Sequence, residues 1–155
     1  MKLFLSGISV AAFLFFVPPA RPCNLPFVPG IEQAVRLAQE KKRPVLLFFT
    51  GSDWSPRSIA LDKNIMENAT VEEIILQSYV PVLVDFQQRV KAPADALSAN
   101  RALAERFNIT HFPTIVVLGG DGVETGRLEY KNETADTVAR LLSQWAAGRT
   151  GRAAK

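Results

Sequence analysis

Residues 45–49 read Val-Leu-Leu-Phe-Phe, five apolar side chains with nothing polar between them. A strand with one wet face alternates apolar and polar residues, so an unbroken run demands cover on both faces. A second run fills residues 80–86, with Pro81 near its start, and a third fills residues 114–118. Helical patterns lie around and between them. Ile31, Ala34, Val35 and Ala38 recur at the helical period over residues 31–42, and Pro44 ends that pattern. After the turn Gly51-Ser52-Asp53, Ser55 is placed to cap a helix, Pro56 suits its first turn, and the helix extends to about Glu67. Thr70-Val71-Glu72-Glu73 has the spacing of a capping box for a short further helix. Residues 87–94 are polar and read as a loop, and residues 97–107 as a helix.

Gly119-Gly120-Asp121-Gly122 is a tight turn leading into a fourth strand over residues 123–130, a hairpin pattern. Thr134 caps a last helix whose Val138, Leu141, Leu142 and Trp145 form an i, i+3, i+4, i+7 core stripe, and Gly148 closes it. Strands separated by helices imply parallel pairing, with the last two strands antiparallel. The expected architecture is α/β: a mixed four-stranded sheet with helices on both faces, in one domain over residues 31–148.

The flanks read differently. Lys2 followed by an apolar stretch to Val17, then Pro18 and Pro19, has the form of a secretory signal peptide over residues 1–20. An N-terminal anchor is the second choice, although the run is short for a span of about 20 residues. Residues 21–30 read as a linker and 149–155 as a disordered basic tail. Cys23 is the single cysteine, so no intrachain disulfide forms whatever the compartment. It offers lipid attachment only after a poorly fitting Ala20-Arg21-Pro22, and any membrane contact is expected through an uncleaved or lipidated N-terminus. The expected location is periplasmic or secreted.

The sequence pI near 9.2 comes from the ends of the chain. Without Lys2, Arg149, Arg152 and Lys155, the chain carries 14 basic against 15 acidic residues. No basic stripe remains to follow a phosphate backbone, so nucleic acid is not an expected partner. The Asn-x-Thr triplets at Asn68, Asn108 and Asn132 matter only in a eukaryotic secretory pathway.

Three local patterns carry a resemblance. Phe48-Phe49-Thr50-Gly51-Ser52-Asp53-Trp54 resembles the approach to the active site of secreted bacterial thioredoxin-like proteins. Ser55-Pro56-Arg57-Ser58 stands where that family carries Cys-x-x-Cys. Phe107-Asn108-Ile109-Thr110-His111-Phe112-Pro113-Thr114 resembles the segment in which a helix ends and a cis-proline opens the next strand. The resemblance spans residues 31–147. It implies the thioredoxin fold, a cis bond before Pro113, and a shallow groove around Trp54, Pro56, Arg57, Phe112, Pro113 and Thr114 that docks extended polypeptide main chain to main chain.

The departure falls on the chemistry. In an active member of that family the first cysteine sits at a helix N-terminus, which favours the thiolate that attacks a substrate disulfide. Ser55 and Ser58 keep the capping oxygen and cannot exchange a disulfide. The family's buried acid would fall at Phe48 or Phe49, and phenylalanine moves no proton. No cofactor is implied. One histidine, one cysteine and scattered acids make no zinc-type cluster, and Asp53, Asp62 and Asp85 read as solvated charges. A Ser55–His111 hydrolytic pair lacks an orienting acid at any evident spacing.

Two classes of function follow from the resemblance. One is a module that binds an extended polypeptide or an envelope protein without catalysis, as holdase or adaptor, its redox positions degenerate. The other is a thiol–disulfide oxidoreductase or disulfide isomerase whose native sequence has cysteines where Ser55 and Ser58 stand.

Overall fold

The computed structural model describes residues 25–90, 92–148 and 151–152. The leader over residues 1–20, Cys23 and most of the basic tail lie outside the described residues. Among the described residues no helix is long and apolar enough to cross a membrane. The elements run α1 (Ile31–Lys41), β1 (Val45–Thr50), α2 (Pro56–Leu61) continuing into a π-helical segment (Asp62–Met66), α3 (Ala69–Ser78), β2 (Val80–Asp85), α4 (Ala94–Arg106), β3 (Thr114–Leu118), β4 (Glu124–Glu129), α5 (Ala135–Ala146) and β5 (Gly151–Arg152).

The sheet order is β2-β1-β3-β4-β5. Its four expected strands are joined by a fifth, two residues long, which pairs parallel to β4 at Gly126 and Arg127 within a segment expected as disordered tail. β1 is fully buried along its length, because it lies centrally and is covered on both faces. Leu46 and Phe48 face a core built with Leu61, Ile65, Met66, Val71, Ile75, Val138 and Leu142. Val45, Leu47 and Phe49 face the second core, with Ile31, Ala34, Ala38, Val82, Val84 and Phe107. The period-2 geometry of one strand thereby feeds both layers: α2, α3 and α5 on one face, α1 and α4 on the other.

β1 and β2 are parallel, as a helical connection implies. β3 differs from the parallel pairing expected of strands separated by a helix: it pairs with β1 and runs antiparallel to it, with Phe49 opposite Thr114. The reason is the route of the chain. After α4, residues 107–113 return it to the end of β1 that carries Thr50, so β3 starts there and runs back. The Arg127 guanidinium secures this route, donating to Phe107 O at 2.7 Å and to the Glu124 carboxylate at 2.6 Å.

Local capping also corrects one reading. α3 starts at Ala69, and its cap is Asn68, whose Oδ1 accepts from the N–H groups of Thr70 and Val71. The Thr70 box is therefore already inside the helix. Thr134 caps α5 through the Thr137 N–H, as its position suggests.

Residues 25–28, read above as linker, lie against the domain. Leu25 is buried, the Phe27 ring meets Phe48 edge-on at 5.9 Å, and the Val28 N–H donates to Pro81 O at 2.9 Å. That bond covers the outer edge of β2 at one end. Asn100 Nδ2 covers it at the other, donating to Asp85 O at 2.9 Å. Pro81 has no N–H to offer. An edge strand capped in this way is a poor template for pairing with another chain.

Trp145 packs flat on Gly126 of β4, where a Cβ would stand 2.6 Å from the indole Cδ2. Real carbon contacts do not approach so closely. Gly126→Ala is expected to cost about 2 kcal/mol through overpacking and to lower Tm by roughly 5 °C. Thermal unfolding checks it, and an unchanged Tm would contradict this packing.

Candidate functional site

The turn from β1 into α2 is closed by its own hydroxyls. The Gly51 N–H donates to Ser58 Oγ at 3.1 Å, and the Ser58 N–H donates to Ser55 Oγ at 3.3 Å. The Ser55 N–H reaches Gly51 O at 2.9 Å. Ser55 has extended backbone angles and Pro56 occupies the first helical turn, the arrangement in which a serine oxygen meets an orphan helix N–H. Both serines are buried. Pro56 and Arg57, placed in the same site by the sequence, are exposed on the first turn of α2.

Trp54 folds back over Gly51. A Cβ on Gly51 would stand 2.5 Å from the indole Cε2, so glycine alone fits there. The indole N–H donates to Phe86 O at 2.7 Å. Its ring meets Phe112 edge-on, with centroids 5.8 Å apart, and Phe112 meets Phe86 at 5.1 Å. Residues 54 and 112, far apart in sequence, thus form one half-buried aromatic cluster with Phe86. The Phe112–Pro113 bond is cis. Thr114, buried at the start of β3, donates its hydroxyl to His111 O at 2.8 Å, and the Tyr130 N–H donates to Pro113 O. Among the described residues no hydrogen bond engages the backbone N–H or C=O of Phe112.

The aromatic cluster is anchored by two acids read as solvated charges from sequence. Asp85, at the end of β2, accepts from both the N–H and the hydroxyl of Ser52, at 3.1 and 2.5 Å. The Asp53 carboxylate accepts from the N–H groups of Gln88 and Arg89, at 3.0 and 2.7 Å. Those bonds, the one from Gln88 foremost, hold the Asp53 carboxyl below its ordinary value. The physical reason for the correction is that both loops end strands at the same rim, leaving main-chain donors that carboxylates satisfy.

Asp62 behaves differently. Partial burial pushes its carboxyl up to about 6, and repulsion from Asp85 and Glu67 adds to the shift. His111 Nδ1 lies 2.9 Å from Thr110 Oγ1 and 3.9 Å from Glu129 Oε2. Glu129 is an acid beside His111 that sequence spacing did not reveal. Among the described residues no hydrogen bond joins His111 to Ser55, whose oxygen is taken by the helix. A nucleophile–base pair is not formed. Among the described residues no three His, Cys, Asp or Glu side chains are grouped to hold a metal ion.

Phe86, Asp85, Ser52 and Glu129 are the site residues that the sequence reading missed. Phe86 closes the second apolar run and reads there as strand. Its position one residue past the end of β2, level with the end of β1, is what brings it to Trp54.

A mixed sheet in this order, entered at one rim by a capped helix and a cis-proline, defines a class. The family model for the thioredoxin-like domain matches residues 31–144, and the chain belongs to that family. The disulfide bond reductase DsbH of Chlamydia pneumoniae is 26% identical over 99 residues, 64% of this chain and 60% of that protein. The thioredoxin-related protein DsbJ of the same organism is 24% identical over 112 residues, 72% of this chain and 32% of that protein. The matched stretch therefore spans less than two thirds of either relative. A solved structure of a DsbH oxidoreductase superposes with a TM-score of 0.72 at 24% identity, covering 92% of this chain and 95% of that one. A thioredoxin from Thermus thermophilus gives 0.58 at 22% identity, covering 74% and 82%. At these identities the two solved structures establish the fold.

The raised Asp62 carboxyl has a consequence for stability. The folded state holds this proton more tightly than the unfolded chain, whose value is near 3.8. Its contribution is complete below that value and is lost as pH rises through about 6. Asp62→Asn is expected to stabilise the protein at pH 7 by about 1 kcal/mol, after allowing for solvent screening of a partly exposed group, and to do little near pH 4. Urea unfolding at the two pH values checks this; an equal effect at both would contradict it.

Proposed function

We propose that this chain is an envelope-located thioredoxin-like domain that binds extended polypeptide and performs no thiol–disulfide exchange. One observation carries the reading: two buried serine oxygens close the start of α2 where exchange needs a thiolate, directly beside an aromatic cluster of Trp54, Phe86 and Phe112. The chemistry of exchange requires a sulfur that attacks and a sulfur that resolves, and the chain's one cysteine is Cys23. The surface that would hold a substrate needs no sulfur. The N–H and C=O of Phe112, unengaged among the described residues, suit main-chain pairing with an extended segment, while the half-buried rings of Trp54 and Phe112 offer apolar contact. The envelope location is supported by the leader pattern over residues 1–20.

A reduced and alkylated polypeptide, which can neither refold nor exchange disulfides, is the appropriate probe. Fluorescence anisotropy is expected to show saturable binding to the wild-type protein. Trp54→Ala and Phe112→Ala should each weaken it about tenfold or more, the loss expected of an aromatic anchor. Circular dichroism establishes that both variants remain folded. No binding by the wild-type chain, or unchanged binding by both folded variants, would defeat the proposal.

The name of one relative, a disulfide bond reductase, favours a second reading in which the native chain carries cysteines at 55 and 58. Sequencing the native gene decides between the two.

A further inference from the structure

Charge on the rim is unevenly spent. All 15 Asp and Glu residues of the chain are among the described ones, so every side-chain carboxylate has a place in the structure. Two ion pairs form among the described residues, His111 with Glu129 and Arg127 with Glu124. The second stands away from the rim, since Glu124 lies opposite Leu118 at the other end of the β3–β4 pair. The acids nearest Trp54 are taken up by the loops. Asp85 accepts twice from Ser52, and Asp53 accepts from the N–H groups of Gln88 and Arg89.

Two cations beside the same ring are not taken up. Arg57 and Arg89 are exposed, and among the described residues no carboxylate lies within ion-pair distance of either. The guanidinium hydrogen bonds among these residues are made by Arg43 and Arg127. Arg57 and Arg89 therefore keep their forks of N–H donors for solvent or a ligand. They bracket Trp54. Arg57 follows it on the first turn of α2. Arg89 is fixed by its own N–H, which donates at 2.7 Å to Asp53, the residue before Trp54. The rest of the rim is balanced. His111 stands beside Glu129, and Arg101 and Glu105 together line a hollow of about 270 Å³ next to Phe86.

Unspent guanidinium donors beside an aromatic surface call for carboxylates next to an apolar side chain. We propose that the polypeptide docked at this rim is acidic, its carboxylates on Arg57 and Arg89 and a neighbouring apolar side chain on Trp54 and Phe112. The inference rests on the polypeptide-binding reading above and adds the chemical class of the bound segment. Asp53 offsets part of the long-range field of the two cations, so the preference arises at contact. A carboxylate that reaches a guanidinium gains paired, charge-assisted hydrogen bonds, whereas an ammonium in the same place meets a like charge.

Three fluorescent peptides without cysteine test it, alike in a central leucine–tyrosine pair and flanked by glutamate, glutamine or lysine. Anisotropy is expected to rank them in that order, the glutamate peptide binding about tenfold tighter than the glutamine peptide. Arg57→Glu and Arg89→Glu should each weaken the glutamate peptide about threefold or more and leave the glutamine peptide within about twofold. Salt at about 0.5 M should narrow the ranking by screening. Trp54→Ala should weaken the glutamate and glutamine peptides alike, and circular dichroism establishes that each variant is folded. Equal binding of these two peptides, or an unchanged ranking in the folded Arg57→Glu/Arg89→Glu double variant, would overturn the inference and leave polypeptide docking intact. Undiminished binding of the glutamate peptide by folded Trp54→Ala would place it elsewhere and overturn the inference as well. Absence of binding by all three peptides would defeat both readings.

Discussion

The missing side chain at Gly51 sets the geometry of the upper rim. Because no Cβ stands there, the Trp54 indole lies flat against the backbone and its N–H reaches Phe86 O. From that position the ring meets Phe112 and so ties the start of α2 to the start of β3. The acids Asp53 and Asp85 then hold the neighbouring loop in register, each satisfying main-chain donors at a strand end. A larger residue at 51 would push the ring out and separate these parts. The rim is thus a consequence of close packing, in which a single methyl group is felt.

On that rim the chemistry is decided by two atoms. An oxygen at 55 caps the helix as well as a sulfur can, and Ser58 Oγ even accepts the Gly51 N–H. The helix start consequently remains intact while its capacity for exchange is gone, since no hydroxyl is oxidised to a disulfide. Asp62 adds a proton-holding carboxyl in the π-helical segment that follows α2. It is an ionisable group on the face of the sheet that Phe48 lines with an apolar ring. Fold and activity are separable in principle: the family supplies the scaffold, and in the proposed reading the side chains at 55 and 58 determine what the site does.

Much of this was legible in the sequence. The unbroken run at 45–49 announced a doubly covered central strand, and Ser55-Pro56 announced a capped helix. The resemblance drew Trp54 and Phe112 into one site, and the rings do touch. Other features depend on tertiary geometry that no local spacing records. The antiparallel placement of β3 follows from where residues 107–113 deliver the chain, not from the composition of the strand. The roles of Asp53 and Asp85 depend on which main-chain donors two distant loops leave free. Asn68 takes the cap that the Thr70 pattern claims, because two candidate caps two residues apart look alike until the backbone is placed. Residues 25–28 read as linker since their two anchors, Phe48 and Pro81, lie far along the chain.

The central proposal is that Ser55 and Ser58 stand where an exchange site needs its two sulfurs. Insulin reduction tests it most directly, comparing the wild-type chain with Ser55→Cys/Ser58→Cys in a Cys23→Ser background. The account predicts that the wild-type chain is indistinguishable from a protein-free blank, whereas the variant forms an intramolecular disulfide and turns over. Turnover by the wild-type chain, or a folded variant that forms no disulfide, would contradict it.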